Sequence, residues 1–322
     1  MKRYFILGGG VAALSAAKAI RKTDPAGLIV MLTEENALPY SRIMLTKQLL
    51  KDMSAADLAL EKASWYDAPG RDIIPLTGRK VAAIDTERKT VTLEDGLVFP
   101  YDKLIYALGA RCFIPPFEGS DSDKVVAIRT AEDASHVRKL AKTAKTAAVI
   151  GGGVLGLEAA WALHQAGVKV SVVEFMPRLM PRQLDEAESA RVAEAIKASG
   201  ADLYLSASAA KYDGSTLTLQ DGREIPADMV IVSAGVKANA EIAAAAGIKV
   251  ERKIIVDERM QTSAPDVYAA GDCAEHEISY ALWAEASEMG HVAGTNAAGG
   301  DAVYKVVPRK LHFAGFGIEV DA

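Results

Sequence analysis

The stretch YFILGGGVAALSAAKAI at residues 4–20 is written again, with substitutions, as AAVIGGGVLGLEAAWAL at residues 147–163. Each copy is an apolar run that enters G-x-G-x-x-G/A: Gly8, Gly10 and Ala13 in the first, Gly151, Gly153 and Gly156 in the second. The first glycine of such a triplet permits a tight strand-to-helix turn, the second lets backbone approach a pyrophosphate, and the third small residue lets helix close on strand. The helix then aims its free N–H groups and the positive end of its dipole at the phosphates. Taken alone, the opening twenty residues also fit a secretory leader, with a basic start, an apolar run and small residues after it. A leader has no reason to recur in mid-chain, so the repeat decides for two nucleotide folds.

Each copy brings its second half. LIVMLTEE (28–35) reads as a strand ending in Glu34, and VKVSVVEF (168–175) as a strand ending in Glu174. A carboxylate at that place can accept both hydroxyls of an adenosine ribose. Two dinucleotide sites imply two dinucleotides, most simply a flavin and a nicotinamide. Between the copies, KVAAIDTERKTVTLEDG alternates and turns at Asp95-Gly96, and TLTLQDGREI repeats that pattern after the second copy, so each nucleotide fold carries a β-hairpin.

The bulk numbers exclude other classes. A net charge of −5 and a pI near 5.7 argue against general affinity for nucleic acid or acidic membrane surfaces. After the first twenty residues no stretch is apolar for long enough to span a bilayer. Cys112 and Cys273 form no C-x-x-C, and His136, His164, His276, His291 and His312 show no ligand spacing, so neither a disulfide framework nor a metal is expected. The expected setting is cytoplasmic, with no nucleic-acid or membrane partner.

The stretches LPYSRIMLTK (38–47), YDKLIYALGA (101–110), IRTAEDA (128–134), IVSAGVKAN (231–239), VYAAGDCAE (267–275) and LWAEASEMGHVAGTNAAG (282–299) carry a more specific likeness. On them the chain resembles the pyridine nucleotide-disulfide oxidoreductase superfamily. Within it, the likeness is to the branch without a redox disulfide: rubredoxin reductases, oxygenase-type ferredoxin reductases and the flavin portion of NADH-dependent nitrite reductases. The resemblance implies an α/β fold of two Rossmann-like domains, an FAD domain interrupted by an NAD domain. Residues 1–110 and 239–300 would form the FAD domain and 111–238 the NAD(H) domain. Residues 301–322 would begin a C-terminal domain that is largely absent, and LHFAGFGIEV (311–320) reads as a strand with no partner following it.

The resemblance also implies roles. Glu34 would hold the FAD ribose and Glu174 the NAD ribose, where its charge would repel the 2′-phosphate of NADPH and favour NADH. Asp272, after Gly271, would meet the ribityl hydroxyls, while Arg42, Val81, Ala107, Gly109, Gly235 and Trp283 would be further cofactor contacts. Lys47 would lie near flavin N5 and pair with Glu158, which faces the nicotinamide. Glu158 otherwise reads as a first-turn helix acid favoured by the dipole alone. Trp283 heads a helix whose N-terminus would point at the flavin's pyrimidine edge.

No cysteine occurs in NALPYSRIMLTKQLL (36–50), where disulfide reductases of the superfamily carry their pair. The expected function is therefore an FAD-dependent NAD(P)H oxidoreductase, NADH preferred, whose electrons leave the flavin directly for a small electron-carrier protein or a linked redox centre. The alternatives are an NADH oxidase or the diaphorase part of a larger reductase such as nitrite reductase, and, in another class, a redox-gated NADH-binding interaction flavoprotein. A homodimer is the remaining partner expectation.

Overall fold

A computed structural model of the chain describes residues 1–306 and 312–321. They gather into two compact units: Met1–Ser41 with Ala55–Arg111 and Lys237–Val307, and Arg42–Ser54 with Cys112–Val236 and Pro308–Ala322. Residues 42–54, which the sequence groups with the first FAD segment, pack in the second unit.

The first unit is built on a parallel five-stranded sheet in the order Val267–Ala269, Lys103–Tyr106, Arg3–Leu7, Leu28–Leu32, Ile73–Leu76. Parallel strands joined by crossovers are covered on both faces and so read as continuous apolar runs. Tyr4, Ile6, Leu7, Ile29, Met31 and Leu32 accordingly lose all contact with solvent. The helix Val11–Thr23 packs along the helix Trp283–Ala297 through small residues one turn apart on each. A methyl group built on Gly290 would lie 2.2 Å from the carbonyl oxygen of Ala12, and one on Gly294 2.3 Å from that of Ala16, so the two backbones meet with nothing between them. The alternating excursion forms an antiparallel sheet of Val81–Asp85, Thr90–Leu93 and Val98–Pro100.

The second unit repeats the plan. Its parallel sheet runs Asp202–Tyr204, Lys169–Val173, Thr146–Ile150, Met229–Val232, Val125–Val126, with the helix Val154–Gln165 following the central strand. Ala209–Tyr212, Thr216–Leu219 and Glu224–Pro226 form its antiparallel sheet. Among the described residues no helix is long and apolar enough to cross a membrane.

At the end of the chain the structure corrects the sequence reading. The single unpaired strand expected over 311–320 is an antiparallel hairpin, His312–Gly315 against Ile318–Asp321; residues 307–311 and 322 lie outside the described residues. Phe316 and Gly317 make the turn at φ +53 and +77, the two positive values that a two-residue hairpin turn of the tightest kind demands. Phenylalanine is a poor residue for that conformation, so Phe316-Gly317 is not one of the usual tight-turn pairs. Burial offsets the strain: Phe316 is 5% exposed, its ring 5.1 Å from Trp161 and 5.8 Å from His164.

Two outcomes test these contacts. Gly294→Val forces apart the paired helices and lowers stability by about 3 kcal/mol, the upper range for overpacking a filled core, as read by urea unfolding. The second concerns Asp102, whose carboxylate accepts from the Arg3 guanidinium at 2.8 and 3.0 Å. That hydrogen-bonded cation holds its pKa at about 2, below the roughly 3.9 of a free aspartate. The pair's contribution is therefore complete above about pH 4 and disappears as pH falls through the folded value. Asp102→Asn flattens the acid limb of a plot of unfolding midpoint against pH over that window.

Candidate active site

In each unit the glycine turn and the strand-end carboxylate expected beside it lie at the carboxyl ends of the parallel strands, where open α/β sheets bind ligands. In the first, Gly8 leaves the central strand at φ +123, and a methyl group there would lie 2.1 Å from the carbonyl oxygen of Ala107, the residue leaving the neighbouring strand. In the second, Gly151 at φ +118 stands 2.2 Å, by the same measure, from the carbonyl oxygen of Ser233. Gly10 and Gly153 cap the two helices, and a methyl group on either would meet nothing within 4 Å. That is the open cradle a diphosphate needs. Neither cap supplies a side-chain bond to its first turn, whereas Thr130 and Asp185 do so for the helices Ala131–Ala141 and Glu186–Ala198. The uncapped N–H groups are left for a ligand. The third position differs: a methyl group on Gly156 would lie 2.1 Å from the Gly151 carbonyl oxygen, while Ala13 carries its methyl fully buried.

The remaining first-unit residues expected at the cofactor are placed as follows. Gly271, at φ +81, follows the strand Val267–Ala269 and sits against Ala12 and Ala286, bringing half-buried Asp272 to the start of the helix Val11–Thr23. The backbone N–H and side-chain amide of Asn239 donate to the carbonyls of Gly109 and Leu108, both at 2.9 Å. Arg79 N–H donates to the Thr33 carbonyl and Gly78 N–H to that of Glu35, which runs the segment entering Val81 beside Glu34. Trp283 is the first residue of its helix and 38% exposed.

The two ribose carboxylates are not equivalent in register. Leu32 pairs with Leu7 and Val173 with Ile150. The next residue donates its N–H to the end of the following strand in both cases, Thr33 to Leu76 and Glu174 to Tyr204. Thr33 thus holds the place of Glu174, and Glu34 stands one residue further out, exposed. Glu174 is buried and folded over its own glycine turn: Oε2 accepts from Gly152 N–H at 2.6 Å and Oε1 from Met176 N–H at 2.7 Å. Nearby Arg178 donates to the carbonyls of Leu184 and Pro181, so its guanidinium is engaged within its own loop.

Lys47 and Glu158 come together as expected, with Nζ 3.2 Å from Oε1. Lys47 ends the helical turn Met44–Lys47. Glu158 is the fifth residue of Val154–Gln165 and 7% exposed. It lies beyond the first turn, and this corrects its reading as a first-turn acid held by the dipole. A buried carboxylate requires partners. One was missed in the sequence: Thr46 donates its hydroxyl to Glu158 Oε2 at 2.5 Å. Only its adjacency to Lys47 could have pointed to it. The segment 42–54 is anchored at both ends as well, by Arg42 Nη1 on the Arg129 carbonyl at 2.8 Å and by Arg138 Nη2 on the Met53 carbonyl at 3.1 Å.

Neither cysteine is poised for thiol chemistry. Cys273 is fully buried, with its thiol pushed up to about 12 by desolvation, and burial also raises that of half-buried Cys112. Both are poor thiolates. Among the described residues no His, Cys, Asp and Glu cluster could hold a metal ion.

The family profile described as pyridine nucleotide-disulphide oxidoreductase matches residues 2–290. The chain belongs to that family. By its description that family is one of oxidoreductases that use a pyridine nucleotide. It is 36% identical over 304 residues to the assimilatory nitrate reductase electron transfer subunit of Bacillus subtilis (strain 168), covering 92% of this chain and 39% of that protein. It is 34% identical over 275 residues to the rubredoxin-NAD(+) reductase of Pseudomonas putida, covering 84% and 71%. Among solved structures, the NAD-dependent persulfide reductase of A. fulgidus superposes with a TM-score of 0.94 at 31% identity over 99% of this chain and 63% of that one. The chain thus spans about two fifths of the length of the nitrate reductase relative.

With Glu174 at the lip of its turn and Arg178 engaged elsewhere, Glu174→Arg is expected to move the NADH-to-NADPH affinity ratio toward NADPH by roughly a hundredfold, the scale of replacing a repelling charge by an attracting one at a partly buried phosphate. Fluorescence titration with each nucleotide measures it. A ratio within twofold of the parent removes Glu174 from nucleotide choice.

Proposed function

We propose that the chain is an FAD-dependent NADH reductase that passes electrons from flavin straight to a redox-protein acceptor of the rubredoxin or ferredoxin type. The observation that carries this reading is the pair of uncapped glycine cradles, one at the carboxyl ends of each parallel sheet, in a chain with a buried lysine-linked carboxylate and no cysteine at 36–50. FAD, when bound, supplies the two-electron acceptance from NADH and the return of those electrons to an acceptor.

The chain's own residues do the rest. Gly8, Gly10 and Ala13 with the N-terminus of Val11–Thr23 would hold the flavin diphosphate, Glu34 its ribose and Asp272 its ribityl chain. Gly151, Gly153 and Gly156 would hold the nicotinamide dinucleotide, with Glu174 on its ribose. Glu174 accepts two N–H bonds of its own chain, and it would offer the same oxygens to the ribose hydroxyls. Lys47 keeps its ammonium half exposed, available to steady negative charge gained on reduction. Arg42, Val81, Ala107, Gly109, Gly235 and Trp283 complete the cofactor contacts in this reading. The relative named as a rubredoxin-NAD(+) reductase supports a carrier protein as acceptor. A second reading, the diaphorase portion of a larger reductase, is favoured by the 36% identity to the nitrate reductase electron transfer subunit.

Anaerobic mixing of flavin-loaded protein with NADH is expected to bleach the flavin, and rubredoxin to restore its colour. Lys47→Ala keeps the flavin bound and slows bleaching roughly tenfold or more, the scale of losing one preorganised electrostatic contact. Protein that takes up no flavin, or flavin that NADH leaves coloured, refutes the reading. Recolouring by a fused or partner nitrite reductase but not by rubredoxin selects the second.

A further inference from the structure

The segment that brings Lys47 to Glu158 supplies a second donor to the same carboxylate. Thr46 is 5% exposed and Glu158 7%, while the Lys47 side chain remains 44% exposed. Lysine ends in a point charge on a flexible four-carbon stem, so its location is set by what it pairs with. A carboxylate held at one oxygen swings about its own last torsion, whereas one held at both does not. Thr46 holds Oε2 at 2.5 Å and Lys47 meets Oε1 at 3.2 Å. The hydroxyl bond is the shorter and the better shielded from water, which makes it the stronger anchor of the two.

We propose that Thr46 is a positioning residue: by donating to Glu158 Oε2 it fixes the carboxylate that in turn places the Lys47 ammonium. This rests on the function proposed above, in which Lys47 acts at the flavin. Three features favour it over simple packing. Thr46 immediately precedes Lys47 in one helical turn, so the carboxylate grips both donors from a single rigid piece of backbone. The far ends of segment 42–54 are tied separately, Arg42 donating to the Arg129 carbonyl and the Met53 carbonyl accepting from Arg138, so Thr46 is not needed to attach it. The remaining feature is chemical: losing the hydroxyl leaves a buried charged oxygen without its donor, and valine of nearly the same shape cannot replace it.

The test compares Thr46→Val and Thr46→Ser, alone and with Glu158→Gln. Thr46→Val is expected to lower the limiting rate of anaerobic flavin bleaching by about tenfold, equivalent to about 1.4 kcal/mol, while half-saturating NADH stays within about twofold. Thr46→Ser, which keeps the donor, recovers the rate to within about threefold of the parent. Combined with Glu158→Gln, Thr46→Val costs nothing further, as expected when two residues act through one contact. A second readout needs no turnover. Acetylation of Lys47 by acetic anhydride, followed by mass spectrometry before flavin is added, is roughly threefold faster in Thr46→Val, the scale of a half-exposed ion pair, and unchanged in Thr46→Ser. Should valine prevent folding, Thr46→Ala takes its place in both measurements. Bleaching by Thr46→Val at the parent rate, an undiminished loss in the Glu158→Gln background, or Lys47 labelling that ignores the substitution overturns the proposal. Failure of the parent to be bleached by NADH refutes the functional reading instead, and the labelling still decides whether Thr46 governs Lys47.

Discussion

A turn that follows a central strand has to pass the backbone leaving the next strand, and here it passes so close that no side chain fits. At Gly8 and Gly151 a single methyl group would lie within 2.2 Å of a carbonyl oxygen, on a backbone already at φ near +120. Glycine at these two positions is therefore a steric requirement before it is a binding feature. The binding follows from it. A turn this tight starts the helix directly behind the strand, leaves the cap without a side chain, and points bare N–H groups along the sheet's carboxyl edge. Glu174, Asp272 and the Lys47–Glu158 pair are all arranged around edges defined in this way.

Charge in the second unit is organised by burial. Glu158 and Glu174 are both nearly sealed from solvent, and each is met by two donors within its unit: a hydroxyl and an ammonium for one, two backbone N–H groups for the other. This is the pattern expected when an ionised group leaves water, since a buried acceptor without a donor costs about 1–3 kcal/mol, and more when it is charged. The difference in donors matters chemically. Backbone N–H groups can be exchanged for ligand hydroxyls, while an ammonium and a hydroxyl carried by one short helical turn form a fixed device.

Much of the architecture could be read from the letters because it obeys local rules. Two strand, glycine-turn and helix units and two antiparallel excursions follow from period-two alternation, continuous apolar runs and Asp-Gly turns, and all are present. What could not be read depends on register or on distant partners. The sequence sets Glu34 and Glu174 alike at strand ends, but an offset of one residue is invisible without the hydrogen bonds of Thr33 and Glu174. Thr46 looks like any threonine in a short turn, because its partner lies 112 positions away. The terminal hairpin is hidden because its turn uses Phe316, a residue of poor preference for that conformation, whose ring is buried against Trp161 in a tilted contact.

The borrowed segment 42–54 also limits how this molecule can be divided. Residues 112–236 look like a natural excisable cassette, contiguous in sequence and containing an entire nucleotide fold. Expressed by themselves, they would lose the hydroxyl of Thr46 and the ammonium of Lys47 that meet the Glu158 carboxylate, together with the cover that the helical turn Met44–Lys47 lays on the helix Val154–Gln165. A cassette that keeps these contacts needs the thirteen-residue strip grafted back, and the terminal hairpin whose Phe316 packs on Trp161 as well.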